Sequence, residues 1–489
     1  MADVPAEVLD RYEVVIGLEI HAQLLTKSKM FSPEAYAYGA PPNTQTHPVS
    51  LGHPGTLPRP NKAAYEMAVR FGHAIEAEIQ PVTYFSRKNY FYPDLPKGYQ
   101  ITQYVIPICK DGRLRVEPEG EPPAFVGIDK VILEEDSGKS IHDLDPFATL
   151  IDLNRAGVPL IEIVTAPDIR TFAQAGATLA KIRQLVRYLE ICDGNMEEGS
   201  LRCDANISVR PRGSRRFGTK VEIKNLNSIR NLQRALEYEF RRQVALIEAG
   251  KPVEADTRGF IPDQGITFTM RAKEALHDYR YFPEPDIPPV TLSDEWIAGV
   301  RQQMPPLPDE LFERFTTRYG LSEYDARLLV SDKAFALYFE ETVQAGAQPK
   351  QAANWLNGPV RAWLNRQAVD IEAFPIPPHT TQKILRLIDD NAVSYSEAAQ
   401  TLLPALIENS TAEPQAMAEQ LGIIQASDTV LIQQLIEEVL AEFPEKVAQY
   451  RAGKKGLLGM FMGQIMRRAP KKLDPRLTNQ LLAERLNQT

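Results

Sequence analysis

Near the start of the chain, Glu19 and His21 lie in the stretch YEVVIGLEIHAQLLTKSKMFS, which runs from Tyr12 to Ser32. Val14, Ile16, Leu18, Ile20, Ala22 and Leu24 alternate there with Val15, Gly17, Glu19, His21 and Gln23. A period of two is the pattern of a half-buried strand, so Glu19, His21 and Gln23 share its polar face. A carboxylate and an imidazole two residues apart on one face can hold a metal ion or move a proton. They can equally be a plain ion pair in solvent, and this stretch alone leaves both readings open.

Other acids and two lysines could join them. Asp204 lies on the polar face of RCDANISVR (202–210), and Glu222 on that of TKVEIK (219–224). The turn-rich PRGSRRFG between them predicts an antiparallel hairpin with both acids on one face. Glu134, Glu135 and Asp136 form an acidic turn after the run that begins at Ala124, and Lys88 and Lys97 sit in the aromatic loop YFSRKNYFYPDLPKGYQITQY (84–104). Brought together, the carboxylates and the imidazole would hold a divalent cation while the lysines neutralised phosphate oxygens. Phosphoryl transfer requires that arrangement.

No standard nucleotide loop accompanies these residues. Gly138-Lys139-Ser140 ends like a Walker A motif, but Leu133 stands where its first glycine belongs, and GKKGLLG (453–459) lacks the Lys-Ser/Thr ending. Cys203 falls on the apolar face of its strand and reads as core, while His47 and His53 read as residues of a proline-rich loop. No serine or cysteine–histidine arrangement suggests a nucleophile, so the chain is not expected to hydrolyse an amide itself.

The elements that must position these side chains are short strands up to about residue 290 and helices beyond it. Asn61 caps a predicted helix to His73, and Thr171 with Gln174 forms a capping box before the stripe Leu179, Ile182, Val186 and Leu189. Asn227 or Ser228 caps a third helix, striped by Ile229, Leu232, Leu236 and Phe240. LIDLNRAGVPLIEIVT (150–165) reads as two apolar runs about a turn, and residues 39–60 as a long ordered loop or a partner-facing segment. Proline density at PEPDIPPVTLS (283–293) predicts a linker or boundary, Ser322 and Asp325 a capping box beyond it, and ENSTAEP (408–414) a further shift. The expected fold class is α+β. An antiparallel-sheet catalytic cradle spans 1–293, a helical domain 294–408 and a small all-α tail 409–489.

Composition narrows the classes further. A chain of 489 residues with 43% hydrophobic content can build more than one core, and it contains no apolar run long enough for a membrane span. The start, MADVPAEVLDRYEV, has no secretory apolar region. Cys109, Cys192 and Cys203, with no C-x-x-C, argue for a reducing, cytoplasmic setting and against a disulfide framework. The net charge of −9 is uneven, because residues 451–489 carry nine Lys/Arg against two Asp/Glu. Such a basic module can be a phosphate-binding surface that the total conceals, or a solvated helix face.

Together, GLEIHAQL (17–24), RKNYFYPDLPKGYQIT (87–102), LEEDSGKS (133–140), DLNRAGVPLIEIV (152–164), RCDANISVR, KVEIKNLNS (220–228) and HDYRYFPEPDIPP (277–289) carry a resemblance. From Tyr12 to the C-terminus the chain resembles the B subunits of tRNA-dependent amidotransferases. The resemblance implies a ligase subunit that converts misacylated Glu-tRNA(Gln) and Asp-tRNA(Asn) to Gln-tRNA(Gln) and Asn-tRNA(Asn). ATP phosphorylates the side-chain carboxylate of the esterified amino acid, and ammonia then displaces the phosphate. The implied partners are an amidase (A) subunit that supplies ammonia from glutamine and a small C subunit, in a heterotrimer with residues 39–60 as a candidate contact.

Carried over by position, Glu19, His21 and Glu134 resemble the family's magnesium site. Lys88 and Lys97 match positions contacting ATP phosphate or activated substrate, and Asp204 and Glu222 match acids of the same pocket. The carboxylates suit Mg²⁺, whereas an imidazole suits Mn²⁺ or Zn²⁺ better. Many relatives carry zinc-binding cysteines in the loop equivalent to 32–50. This chain has His47-Pro48-Val49-Ser50 and no cysteine before Cys109, so no structural zinc is expected and packing and prolines must hold the loop. In the tail, Lys454, Lys455, Arg467, Arg468, Lys471 and Lys472 are the candidates for tRNA contact, since double-helical RNA is recognised mainly by shape and backbone. The opposing class is an RNA-binding scaffold with an inactive pocket; the ionisable residue kept at every pocket position favours the enzyme.

Overall fold

A computed structural model of the chain describes residues 4–272, 279–425, 429–469 and 473–487. The chain forms two compact units, Met1–Leu307 and Pro308–Thr489. The first is built on a twelve-stranded sheet. Its longer strands are β1 (Tyr12–Gln23), β2 (Ser86–Asn89), β3 (Tyr99–Thr102), β4 (Cys109–Val116), β5 (Ala124–Glu135), β6 (Pro159–Thr165), β7 (Leu201–Pro211), β8 (Val221–Lys224), β9 (Asp256–Ile261) and β10 (Ile266–Ala272). They run in the order β10-β9-β8-β7-β1-β6-β5-β3-β2, with β4 also paired to β5.

The period-two pattern of β1 decides which side is core. Ile16, Leu18, Ile20 and Ala22 are buried in one hydrophobic cluster with Ile161 and Ile163 of β6 and Cys203, Ala205 and Ile207 of β7. Helices α1 (Lys62–Ala74), α2 (Phe172–Tyr188) and α3 (Ile229–Glu248) add Ala68 and Phe71, Leu179 and Ile182, and Leu232 and Leu236 to that same cluster. Helices therefore cover the even-numbered face of β1, and Glu19, His21 and Gln23 project from the other.

The predicted caps form. Asn61 accepts from Ala63 N at 2.9 Å, Thr171 from Gln174 N at 3.0 Å and Ser228 from Asn231 N at 3.1 Å. The α+β organisation is the one expected, as is the β7–β8 hairpin, in which Asn206 faces Glu222. One pairing departs from the antiparallel rule. β8 and β9 are parallel, because α3 carries the chain back over the sheet between them.

The proline-rich stretch at 283–293 is woven into the first unit. Phe282–Pro283 pairs with β2, Val290–Thr291 pairs with Val82–Thr83, and Ile287 and Leu292 join the core. Proline here sits at short sheet margins, where no ladder bond is lost. Helix Asp294–Gln302 also belongs to this unit, with Val300 buried in the same cluster.

The segment between β1 and α1 is long but ordered. Lys29 Nζ donates to Gln45 O at 2.7 Å, Ser32 and Ser50 hydroxyls meet at 2.9 Å, and Asn43 bonds to Ile151 O at 2.9 Å. Polar contacts thus hold the loop along with its prolines.

The second unit is helical. Ser322 caps Glu323–Leu329 by accepting from Asp325 N at 3.1 Å. Helices Thr429–Glu442, Pro444–Arg451, Leu457–Arg468 and Pro475–Asn487 pack about Ile432, Ile436, Val439, Phe461, Ile465, Leu482 and Leu486, a core of their own. Among the described residues no helix is long and apolar enough to cross a membrane.

Ile20 is fully buried directly behind Glu19 and His21. Ile20→Ala is expected to destabilise the first unit by about 2–5 kcal/mol, through lost burial plus the cavity left behind. A lower urea midpoint in far-UV circular dichroism checks this.

Candidate functional site

Register brings the polar residues together. Within β1, Glu19 stands opposite Asp204 and His21 opposite Arg202 on β7, while on the other side His21 faces Glu162 of β6. One strand further, Leu160 faces Glu134 of β5, and Glu134 faces Thr102 of β3. Cross-strand partners share a face. Four strands thus turn a row of charged side chains to the side opposite the helices.

The result is a cavity of about 480 Å³ lined by Glu19, His21, Lys88, Glu134 and Asp204, with Tyr90, Gln100, Asp136, Arg202, Lys224 and Asn225. His21 is at its centre. Its Nε2 lies 3.7 Å from Glu19 Oε1, 3.6 Å from Glu134 Oε1 and 3.6 Å from Glu162 Oε2. Burial alone would lower the imidazole pKa, but the Glu162 contact and the charges of Glu134 and Glu162 outweigh it and push it up to about 9. His21 is therefore a cation at neutral pH in the metal-free chain.

The surrounding acids are not fully neutralised by it. Burial and then repulsion from Glu162 push Glu134 up to about 7, and the same two causes raise Glu19. Glu162 is depressed instead: burial raises it, but its contact with His21 and the charges of His21, Lys88 and Lys130 together outweigh burial. Upward-shifted carboxylates mark a place with too little positive charge. Glu19, His21 and Glu162 each offer a ligand atom, all within 4.8 Å of one another. That donor set, rich in carboxylate oxygen, fits a divalent ion. The acid that completes the group is Glu162, while Glu134 adds a carboxylate 3.6 Å from His21.

Lys88 points its ammonium at Tyr279 and Tyr90, 5.0 and 5.8 Å from the ring centroids. Among the described residues no carboxylate lies within 4 Å of it; burial lowers its pKa, but Glu134, Tyr281 and Glu162 together outweigh that and raise it. Lys224 is already committed, to Asp204 at 2.8 Å and Glu222 at 3.0 Å. Asn225 takes a left-handed backbone (φ 61°), which Asn tolerates, and its N–H donates to Asp204 at 3.2 Å.

Two of the candidate residues do not line the cavity. Lys97 pairs with Glu135, the neighbour of Glu134 and so on the other face of β5, and sits 5.4 Å from the Tyr99 ring. Glu222 pairs at 3.0 Å with Lys224, which lines the cavity, and accepts from Thr257 Oγ1 at 3.0 Å. Gly138-Lys139-Ser140 leads into the short strand Lys139–Ile141, and Ser140 bonds to Asp94 at 3.1 Å. In the tail, Lys454, Lys455, Arg467 and Arg468 are exposed; Lys455 lies 4.2 Å over Tyr450, and Arg468 pairs with Glu442 at 2.5 Å. Lys471 and Lys472 lie outside the described residues.

Sequence reasoning passed over Glu162, Arg202 and Lys224. The signal for Glu162 was its isolation, as the single charge in the apolar run PLIEIVT. Arg202 and Lys224 share the alternating faces of Asp204 and Glu222.

Comparison with known proteins agrees with this architecture. Residues 14–298 match the GatB/GatE catalytic domain and residues 337–486 the GatB domain. The B subunit of the aspartyl/glutamyl-tRNA(Asn/Gln) amidotransferase of Alkalilimnicola ehrlichii is 49% identical over 477 residues, covering 97% of this chain and 99% of the relative. The protein of the same name from Thermosynechococcus vestitus is 48% identical, covering 97% of each chain. The chain belongs to the family of aspartyl/glutamyl-tRNA(Asn/Gln) amidotransferase B subunits.

The raised His21 pKa carries a pH signature. Its contribution to stability is fully present below the ordinary value of 6.5 and is lost as pH rises through about 9. Urea midpoints of the metal-free chain should fall across that window, and Glu162→Gln should flatten the fall.

Proposed function

We propose that this chain, as the B component of a tRNA-dependent amidotransferase, carries out the transamidation of Glu-tRNA(Gln), Asp-tRNA(Asn) or both in the cavity between β1, β5, β6 and β7. The observation that carries this reading is the convergence of Glu19, His21, Glu134 and the cation Lys88 in the lining of one cavity, with Glu162 3.6 Å from His21. A side-chain carboxylate is a poor acyl donor. Transfer of the terminal phosphoryl group of ATP to its oxygen releases ADP and makes an acyl phosphate; ammonia then adds to the carbonyl carbon, and inorganic phosphate leaves with its oxygen to give the amide.

This chain's residues have separate tasks. Lys88, caged by tyrosines and lacking a described carboxylate partner, is suited to hold a phosphate of ATP. Glu19, His21 and Glu162, with Glu134 beside them, are suited to hold Mg²⁺, which would supply charge neutralisation at the phosphate oxygens. Lys97 and Glu222 support the walls from one contact away.

Ammonia is supplied from outside this chain. All three cysteines are buried, and burial pushes Cys109 and Cys192 up to about 12 and Cys203 well above its ordinary value, so none is an activated thiol. That supports a separate glutamine-hydrolysing A subunit; the family resemblance adds a small C subunit in a cytoplasmic heterotrimer, with residues 39–60 as the proposed contact surface. The first unit, Met1–Leu307, is the cradle, and its end lies beyond the boundary expected at 293; the basic residues of 451–489 are suited to a tRNA-binding tail within the helical second unit.

In the reconstituted complex, Glu19→Gln and Glu134→Gln should each slow amide formation on the misacylated tRNA by about a hundredfold or more while glutamine hydrolysis continues. An unchanged rate would show that the acids serve a scaffold and not the reaction. Deleting 451–489 should raise KM for tRNA, weaken its salt dependence and spare glutamine hydrolysis; unaltered tRNA affinity would remove the tail from RNA binding.

A further inference from the structure

The cavity confronts any anionic substrate with Glu19, Glu134, Asp136 and Asp204 in its lining. An oxyanion can settle there only beside a cation whose hydrogen bonds are not already spent. Lys224 is shared by Asp204 and Glu222. Arg155, behind the Asp136 turn, donates to the carbonyls of Ser137 at 2.9 Å and Gly138 at 2.6 Å. Lys88 stands on β2, with four strands between it and β7 in the sheet order.

Arg202 is different. It lines the cavity directly across from His21 on the neighbouring strand. Its Nη2 donates to Asp136 Oδ2 at 2.7 Å, but its buried Nε–H has no hydrogen-bond partner. The pairing is single-pronged, although a guanidinium and a carboxylate usually meet through two parallel bonds. Asp136 is 4% exposed and heavily subscribed, since Oδ2 also accepts from Gln23 Nε2 at 2.8 Å and Oδ1 from Ser137 N at 2.9 Å. Arg155 Nε adds a second positive charge 3.7 Å from it. Asp136 can fix the direction of Arg202 without saturating it. A buried donor left unsatisfied in a native site is costly, and it is tolerated most readily where a ligand completes the set.

We propose that Arg202 receives a substrate oxyanion at the β7 side of the cavity, with Asp136 as its positioning residue. The inference rests on the reading of this cavity as the transamidation site. Two substrates carry the required group: the side-chain carboxylate of the esterified amino acid and the phosphates of ATP. Arg202 and Lys88 stand on opposite sides of the acid cluster, so the carboxylate and the phosphates can each be gripped at one end and meet between them.

The test uses the reconstituted complex with misacylated tRNA, ATP and glutamine. Arg202→Lys keeps the charge but loses the planar fork, and Arg202→Met combined with Asp136→Asn removes the ion pair as a unit, leaving no unpaired buried carboxylate. Both are expected to raise one KM about tenfold to a hundredfold, with glutamine hydrolysis unchanged. A rise for aminoacyl-tRNA identifies the carboxylate, and a rise for ATP identifies the phosphate. Arg202→Ala should regain part of its lost rate when guanidinium is added. Wild-type KM values for both substrates in the double variant overturn the proposal, because Arg202 would then serve only to neutralise Asp136. Glu19→Gln separates the two levels: if it abolishes amidation while the Arg202 variants keep both KM values, this inference alone fails. If Glu19→Gln is also fully active, the reading of the cavity fails with it.

Discussion

One imidazolium among three carboxylates is the interaction on which the first unit turns. His21 lies 3.6–3.7 Å from Glu19, Glu134 and Glu162. Burying three acids beside one another without a cation would cost several kcal/mol per uncompensated charge. His21 offsets part of that cost, and the raised pKa values of Glu19 and Glu134 show how much remains. The apolar side of the same strands carries the opposite task. Ile16, Leu18 and Ile20 bury against three helices with almost no exposure, and that burial holds the charged row in register. The apolar core and the charged cluster are thus placed on two faces of one strand, separated by the thickness of the sheet.

Much of this was legible in the residue order. The alternation of β1, the β7–β8 hairpin and the three helix caps depend on neighbours a few residues apart, and local pattern reports them faithfully. The same holds for Asp204 on the face of Glu19, since alternation fixes a side chain's face once the strand is known. Glu162 was not legible as a neighbour of His21 because only the β1–β6 register sets it there, across 141 residues of chain. Lys97 illustrates the converse. It shares an aromatic loop with Lys88, and proximity in sequence suggested a shared role, yet the turn at Pro96 delivers it to Glu135 on the other face.

Proline at 283–293 was ambiguous for a related reason. A run of prolines forbids helix and central strand, but it does not distinguish a free linker from a sheet margin. Ile287 and Leu292 settle the matter by entering the core. The parallel β8–β9 pair was likewise hidden, because a strand's direction depends on what the intervening twenty-residue helix packs against.

The charged row also has a consequence for inheritance. Glu19, Lys88, Glu134, Glu162 and Asp204 come from five strands that are interleaved in space and scattered along the first unit. A fragment that holds all five must span at least Glu19 to Asp204. Such a centre cannot travel between proteins as a cassette, in the way that a glycine-rich phosphate loop on one strand and one helix can. It passes on only with the strands that carry it.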